Sequence, residues 1–137
     1  MRILTSKKGE GTYVSTVIFV LVAVLFIAFT IRLFSIISAK QQMDACADQM
    51  VRQIQLAGEV DDRTDALFAS YCGRIAAVHD LQYEIDTVYK TGRKIQLGTP
   101  FTVTVTAEAY MGDFGGFGLF PLTLVSQCGG VSEEYWK

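Results

Sequence analysis

From residue 12 to residue 31 the chain reads TYVSTVIFVLVAVLFIAFTI, twenty residues without a charge. At about 1.5 Å per residue, a helix of that length spans roughly 30 Å, the thickness of a bilayer's hydrocarbon core. A core helix of a soluble domain carries a polar stripe. Here the apolar character goes all the way round, which predicts a membrane span. Arg32 is the first charge beyond it, placed to snorkel at the far interface. The helical pattern then continues, with no Gly or Pro until Gly58. Met43, Ala47, Met50, Ile54 and Ala57 follow alternating steps of four and three and form one apolar seam. Asp44, Asp48, Gln49, Arg52 and Gln55 occupy much of the remaining surface. The pattern predicts one continuous helix from about Tyr13 to about Ala57, roughly 65–70 Å long. Its first half is apolar all round, its second half is amphipathic, and Gly58 is its C-terminal cap.

A second helix follows. Asp61 or Asp62 can cap it, Asp65 sits favourably in its first turn, and it is expected to run through ALFASYCGRIAAV. From Leu81 the period changes to two. LQYEIDTVYK sets Tyr83, Ile85 and Tyr89 against Gln82, Glu84 and Asp86. Turns at Thr91-Gly92 and Gly98-Thr99-Pro100 bracket RKIQL, read as a short strand. FTVTVTAEAY alternates most cleanly, with Phe101, Val103, Val105, Ala107 and Ala109 on one face and Thr102, Thr104, Thr106, Glu108 and Tyr110 on the other. GLFPLTLVSQ is the last strand, and Pro121 suggests that it lies at an edge or a strand start. A four-strand meander with one apolar face needs a cover, and so does the seam of the long helix. The fold class is therefore α+β: a long N-terminal helix, half in the membrane and half laid on a small antiparallel sheet. The chain divides into a basic leader or cytoplasmic tail (1–11), a transmembrane helix (12–32), its amphipathic continuation (33–58), and an extracytoplasmic helix-plus-sheet region (59–137).

Charge orients this arrangement. The formal net charge is −2, but it is unevenly spread. Residues 1–11 carry Arg2, Lys7 and Lys8 against Glu10, whereas residues 40–137 carry eight Lys or Arg against thirteen Asp or Glu. Positive charge beside the first end of the span keeps that end in the cytoplasm, which makes the protein single-pass with an extracytoplasmic domain. A secretory signal peptide has a shorter apolar core, and here the small pair Ser38-Ala39 comes only after Arg32 and a second apolar run. No basic patch is visible in the acidic remainder, which argues against nucleic acid as a partner. Three cysteines, Cys46, Cys72 and Cys128, allow three pairings in an oxidising compartment. Cys72 falls on the apolar pattern Leu67, Tyr71, Cys72, Ile75 and reads as a buried thiol, leaving Cys46 with Cys128 as the preferred pair.

Catalytic chemistry is not legible. The one histidine, His79, reads as a solvated loop residue, and no serine or cysteine has a base motif beside it. Asp113-Phe114-Gly115 spells a kinase tripeptide without the phosphate and catalytic loops a kinase needs. The glycines of GDFGGFG read as a loop between strands. The acids of EVDDRTD lack calcium-loop spacing. The expectation is a non-enzymatic protein without a cofactor or metal, working through surfaces.

The basic, glycine-ended start KKGEG, the span TYVSTVIFVLVAVLFIAF and the alternating strands together resemble type IV pilins, most closely the TadE-like branch of small pilin-like proteins. SIISAKQQMDACADQMVRQIQLAG and GVSEEYWK are also similar to a family of single-span proteins found beside pilus or secretion genes. The resemblance covers nearly the whole chain. It implies a major or minor structural subunit of a Tad-like type IV pilus or related secretion apparatus. Processing by a prepilin peptidase would fall at Gly9 or Gly11. Tyr13, Thr16, Val17, Val20, Val24 and Ile27 would pack against membrane lipid and against copies of itself or other pilin-like subunits, in the membrane or in an extracellular filament. Pilins usually carry a glutamate five residues after the cleaved glycine; here Thr16 is fifth after Gly11 and Val14 fifth after Gly9. The span thus lacks the charge that registers one pilin against the next. The alternative is an anchored extracytoplasmic accessory or binding protein of an export or conjugation machine that never polymerises.

Overall fold

The computed structural model describes residues 7–111 and 120–137, with side chains from residue 11 onward. The described residues form two helices, α1 (Lys7–Ala57) and α2 (Asp62–Cys72), and three strands, β1 (His79–Thr87), β2 (Pro100–Met111) and β3 (Phe120–Val131). Two compact units divide the chain, Met1–Phe34 and Ser35–Lys137. The first consists of the apolar part of α1. Helical backbone begins at Lys7, ahead of the expected Tyr13, and the expected processing positions Gly9 and Gly11 lie within it.

The second unit is α+β, as the pattern predicts. Its sheet is antiparallel in the order β1-β2-β3. Alternation on β2 places Phe101, Val103, Val105, Ala107 and Ala109 in the core. The register sets Val103 opposite Cys128, Val105 opposite Ser126 and Ala107 opposite Leu124 on β3, and opposite Ile85 and Tyr83 on β1 for Val103 and Val105. Side chains opposite one another in an antiparallel pair share a face, so the inward row runs across all three strands. Against it lie Ala39, Met43, Cys46, Ala47, Met50, Val51 and Ile54 of α1, all buried. The expected seam is present but wider, because Cys46 and Val51 flank it on the helix. Ala57 is only half-buried.

Close approach is needed where the helix crosses β3. A Cβ built on Gly130 would stand 2.7 Å from Val51 Cγ1 and 2.9 Å from Phe101 Cζ. The helix ends as its cap residue predicts. Gly58 has φ +66° and donates its N–H to Ile54 O at 2.8 Å.

Asp61 caps α2, accepting from the Thr64 N–H at 3.1 Å, and Asp62 and Asp65 occupy the first turn. The helix stops at Cys72, six residues short of the expected end, with Gly73 at its C-cap. Leu67, Phe68 and Tyr71 pack on the core, and the Phe68 and Tyr83 rings lie 4.7 Å apart. The Tyr83 hydroxyl donates to Asp65, whose other oxygen accepts from Arg93 at 3.4 Å.

The expected fourth strand is not formed. In the segment RKIQL, Ile95 is fully buried, but its N–H donates to Gly58 O at 2.7 Å. Lys94 makes only isolated bridges, to Glu59 and Thr91. The apolar residue packs while the backbone hydrogen bonds go to a helix cap and a turn, so the sheet has three strands. Tyr89, expected inward, lies beyond the end of β1 and is exposed. β3 runs four residues past its expected end and is an edge strand, as Pro121 predicts. The tripeptide at 113–115 lies outside the described residues. Beyond β3 the tail threads back: Ser132 Oγ donates to Ile95 O at 3.1 Å, Glu133 N–H to Gln55 O at 3.1 Å, and Trp136 Nε1 to Gly58 O at 3.0 Å.

Met50 is fully buried between helix and sheet, so Met50→Ala removes apolar volume the core cannot recover. Urea unfolding of the detergent-solubilised chain is expected to show a loss of about 2–5 kcal/mol, against a change within about 0.5 kcal/mol for the exposed Val88→Ala.

Candidate functional site

The candidate site is the apolar surface of α1. An α-helix satisfies its own backbone, which is the condition for lying in hydrocarbon. No residue from 11 to 34 is buried. The expected packing positions Tyr13, Thr16, Val17, Val20, Val24 and Ile27 are all exposed, and Phe19 and Phe26 on other faces equally so. The structure therefore brings no single packing face forward; the whole circumference is available. Thr16 Oγ1 donates to Thr12 O at 2.8 Å and Thr30 Oγ1 to Phe26 O at 2.9 Å. These back-bonds mask the hydroxyls within their own helix, so Thr16 reaches no other element. Among the described residues, one helix is long and apolar enough to cross a membrane. Its length and composition suit a membrane anchor or a signal sequence alike.

In the second unit, polar groups tie α1 to β3. Asp44 accepts from Ser126 Oγ at 2.5 Å and pairs with Lys40 one turn back. Burial works against its charge, but the bonds from Lys40 and Ser126 outweigh that and hold the carboxyl below its ordinary range. One turn on, the Cys128 thiol meets Asp48 Oδ1 at 3.8 Å.

All three thiols are free, and the preferred bridge between Cys46 and Cys128 is not formed. The reason is angular. Asp48, which Cys128 meets, lies two residues and about 200° around the helix from Cys46. Cys46 instead faces the core, fully buried, with Met50 Sδ 3.8 Å away. Burial, and secondarily the charge Cys72 would carry, push its thiol up to about 11. Cys72 is exposed, not buried as its apolar neighbours imply; it is the last residue of α2, beyond the part that packs on the core. His79 is exposed as expected, but opens β1 rather than sitting in a loop, its ring 5.6 Å from that of Tyr110. No group of three or more potential metal ligands occurs among the described residues.

A family model matches residues 20–137, from within the apolar stretch through the whole second unit. The chain belongs to DUF4320, a family described as a domain of unknown function. No curated protein and no solved structure matches the chain. The part matched to DUF4320 thus includes both the amphipathic seam and the sheet it covers.

Sequence reasoning missed one grouping. Lys90, Lys94 and Lys137 are scattered in sequence but line one hollow with Thr91 and Trp136. The Tyr135-Trp136 pair at the end of the chain was its visible signal, since an aromatic in a polar tail marks a docking point.

The thiols differ in a way that chemistry can read. Alkylation of the folded chain at pH 8 is expected to label Cys72 first and to spare Cys46 until urea is added. Mass mapping of the modified peptides checks this, and equal labelling of Cys46 in the folded chain contradicts its placement.

Proposed function

We propose that the chain is a pilin-like structural subunit, major or minor, of a Tad-like type IV pilus or a related secretion apparatus, assembling through residues 12–31. One observation carries this reading: a single helix, Lys7–Ala57, contains both the apolar stretch and the seam that covers the sheet. A plain anchor needs only a span and a linker. In this chain the apolar stretch runs into the seam with no linker between them, as suits a packing element of a polymer. Contiguous apolar surface of this extent does not stay in water; it enters lipid, and in a filament the helices of other copies replace that lipid. The basic leader, the glycines at 9 and 11 and the acidic second unit fit a cytoplasmic start processed by a prepilin peptidase and an outward-facing domain.

The second reading is an anchored accessory protein that stays in the membrane. It is favoured by the absence of a glutamate at Val14 or Thr16, since a carboxylate in hydrocarbon is kept where it pairs with a neighbouring subunit. The Thr16 hydroxyl, bonded to its own helix, does not replace that charge.

Shearing the cells that produce the protein separates the two. Filaments containing the chain, with an N-terminal mass that places cleavage after Gly9 or Gly11, are the expected result. Protein found only in membranes, beginning at Met1-Arg2, overturns assembly in favour of the anchored reading.

A further inference from the structure

The hollow that gathers the lysines is a cavity of about 230 Å³ lined by Lys90, Thr91, Lys94, Trp136 and Lys137. It is built by the tail. Trp136 is fixed on two sides: its indole N–H donates to Gly58 O at 3.0 Å and its backbone N–H to Gln96 Oε1 at 3.2 Å. Lys94 Nζ then sits 3.9 Å from the centre of the Trp136 ring, so a cation–π contact holds its ammonium. Lys90 donates to Trp136 O and to Gln96 Oε1 at 3.4 Å.

The charge balance here runs against the rest of the domain. Residues 40–137 carry a five-charge excess of acid, yet among the described residues no carboxylate forms an ion pair with these three lysines. The ion pairs among the described residues are Lys40 with Asp44 and Arg93 with Asp65. Like charges gathered at one place repel, and an acidic domain has carboxylates to spare for neutralising them. The Lys90 and Lys94 ammoniums, both held at Trp136 and ion-paired with no carboxylate among the described residues, form with Lys137, which lines the same hollow, a site for an anion from outside. The donors give its type. An ammonium carries three N–H groups; Lys90 spends two of them, and the Lys94 and Lys137 ammoniums and the Thr91 hydroxyl make no hydrogen bond among the described residues. A carboxylate would neutralise one of the three charges. A phosphate monoester carries about −1.5 to −2 and three acceptor oxygens, and lysine binds it as a point charge without a fixed fork.

We propose that this pocket binds a phosphate monoester, either a free phosphorylated small molecule or a phosphorylated lipid headgroup. The site lies at the C-terminal end of α1, on residues separate from the apolar stretch, and does not depend on whether the chain polymerises. Three lysines are too few to hold a nucleic-acid backbone, and the pocket departs only locally from the acidic surface.

The test is a titration of the full ¹⁵N-labelled chain in non-ionic detergent micelles, at constant ionic strength, with inorganic phosphate and then glycerol phosphate. A parallel series uses micelles doped with phosphatidic acid. The expected result is saturable shifts at the Lys90, Thr91 and Lys94 amides and at the Trp136 indole N–H. A stronger response to glycerol phosphate identifies a soluble ligand, and a stronger response to doped micelles a lipid. The double variant Lys90→Gln/Lys94→Gln should weaken binding at least tenfold with the β2 amides unmoved, while Arg74→Gln leaves it unchanged. No saturable shift with any of the three probes, or equal binding by the double variant, overturns the proposal.

Discussion

Mutual covering of two apolar surfaces sets the rest of the structure. The inward row of β2 and the seam of α1 each present apolar side chains that water would penalise at about 25 cal/mol per Å². Each buries the other: Met43, Met50 and Ile54 are fully buried against Val103 and Val105. The remaining elements complete that contact. α2 lays Leu67, Phe68 and Tyr71 along its flank, and Val60, Ile75 and Ile95 close it from the loops. The tail returns from β3 to the end of α1 through Glu133 and Trp136.

The same contact explains why the apolar stretch is informative. α1 has one part whose apolar side chains are buried within the chain and one part, residues 12–31, in which no residue is buried. Both belong to one helical element, with no linker between them. The proposed assembly role grows from that continuity of sequence, and the missing glutamate is the feature that favours the anchored alternative. The phosphate pocket is built at the other end of α1, where Gly58 meets Trp136.

Long periodic patterns were legible and local ones were not. The helix through Ala57 was readable because nothing interrupts its period, and β2 because five apolar and five polar residues alternate without exception. RKIQL misled because an apolar residue between polar ones satisfies a strand pattern. Pattern reports where a side chain goes, whereas Ile95 reaches the core from a backbone bonded to a helix cap. The cysteines misled for a related reason. Cys72 lies on an apolar period but at the last residue of α2, and Cys46 lies just off the predicted seam yet fully inside. Of the candidate surface, its extent was readable and its packing face was not, since no residue from 11 to 34 is buried on any side of the helix. The lysine hollow depends on a tail folding back some 40 residues to meet a turn, which no local window contains.

α1 and the sheet are pressed together at Gly130. Gly130→Ala places a methyl where Val51 Cγ1 would stand 2.7 Å away, and overpacking of this kind costs about 1–3 kcal/mol. Val51→Ala removes the obstructing methyl. Urea unfolding of the two single variants and the double variant measures whether the sites meet. The double variant is expected to be less destabilised than the sum of the singles by about 0.5 kcal/mol or more. Additivity within about 0.3 kcal/mol would contradict the contact on which the structure depends.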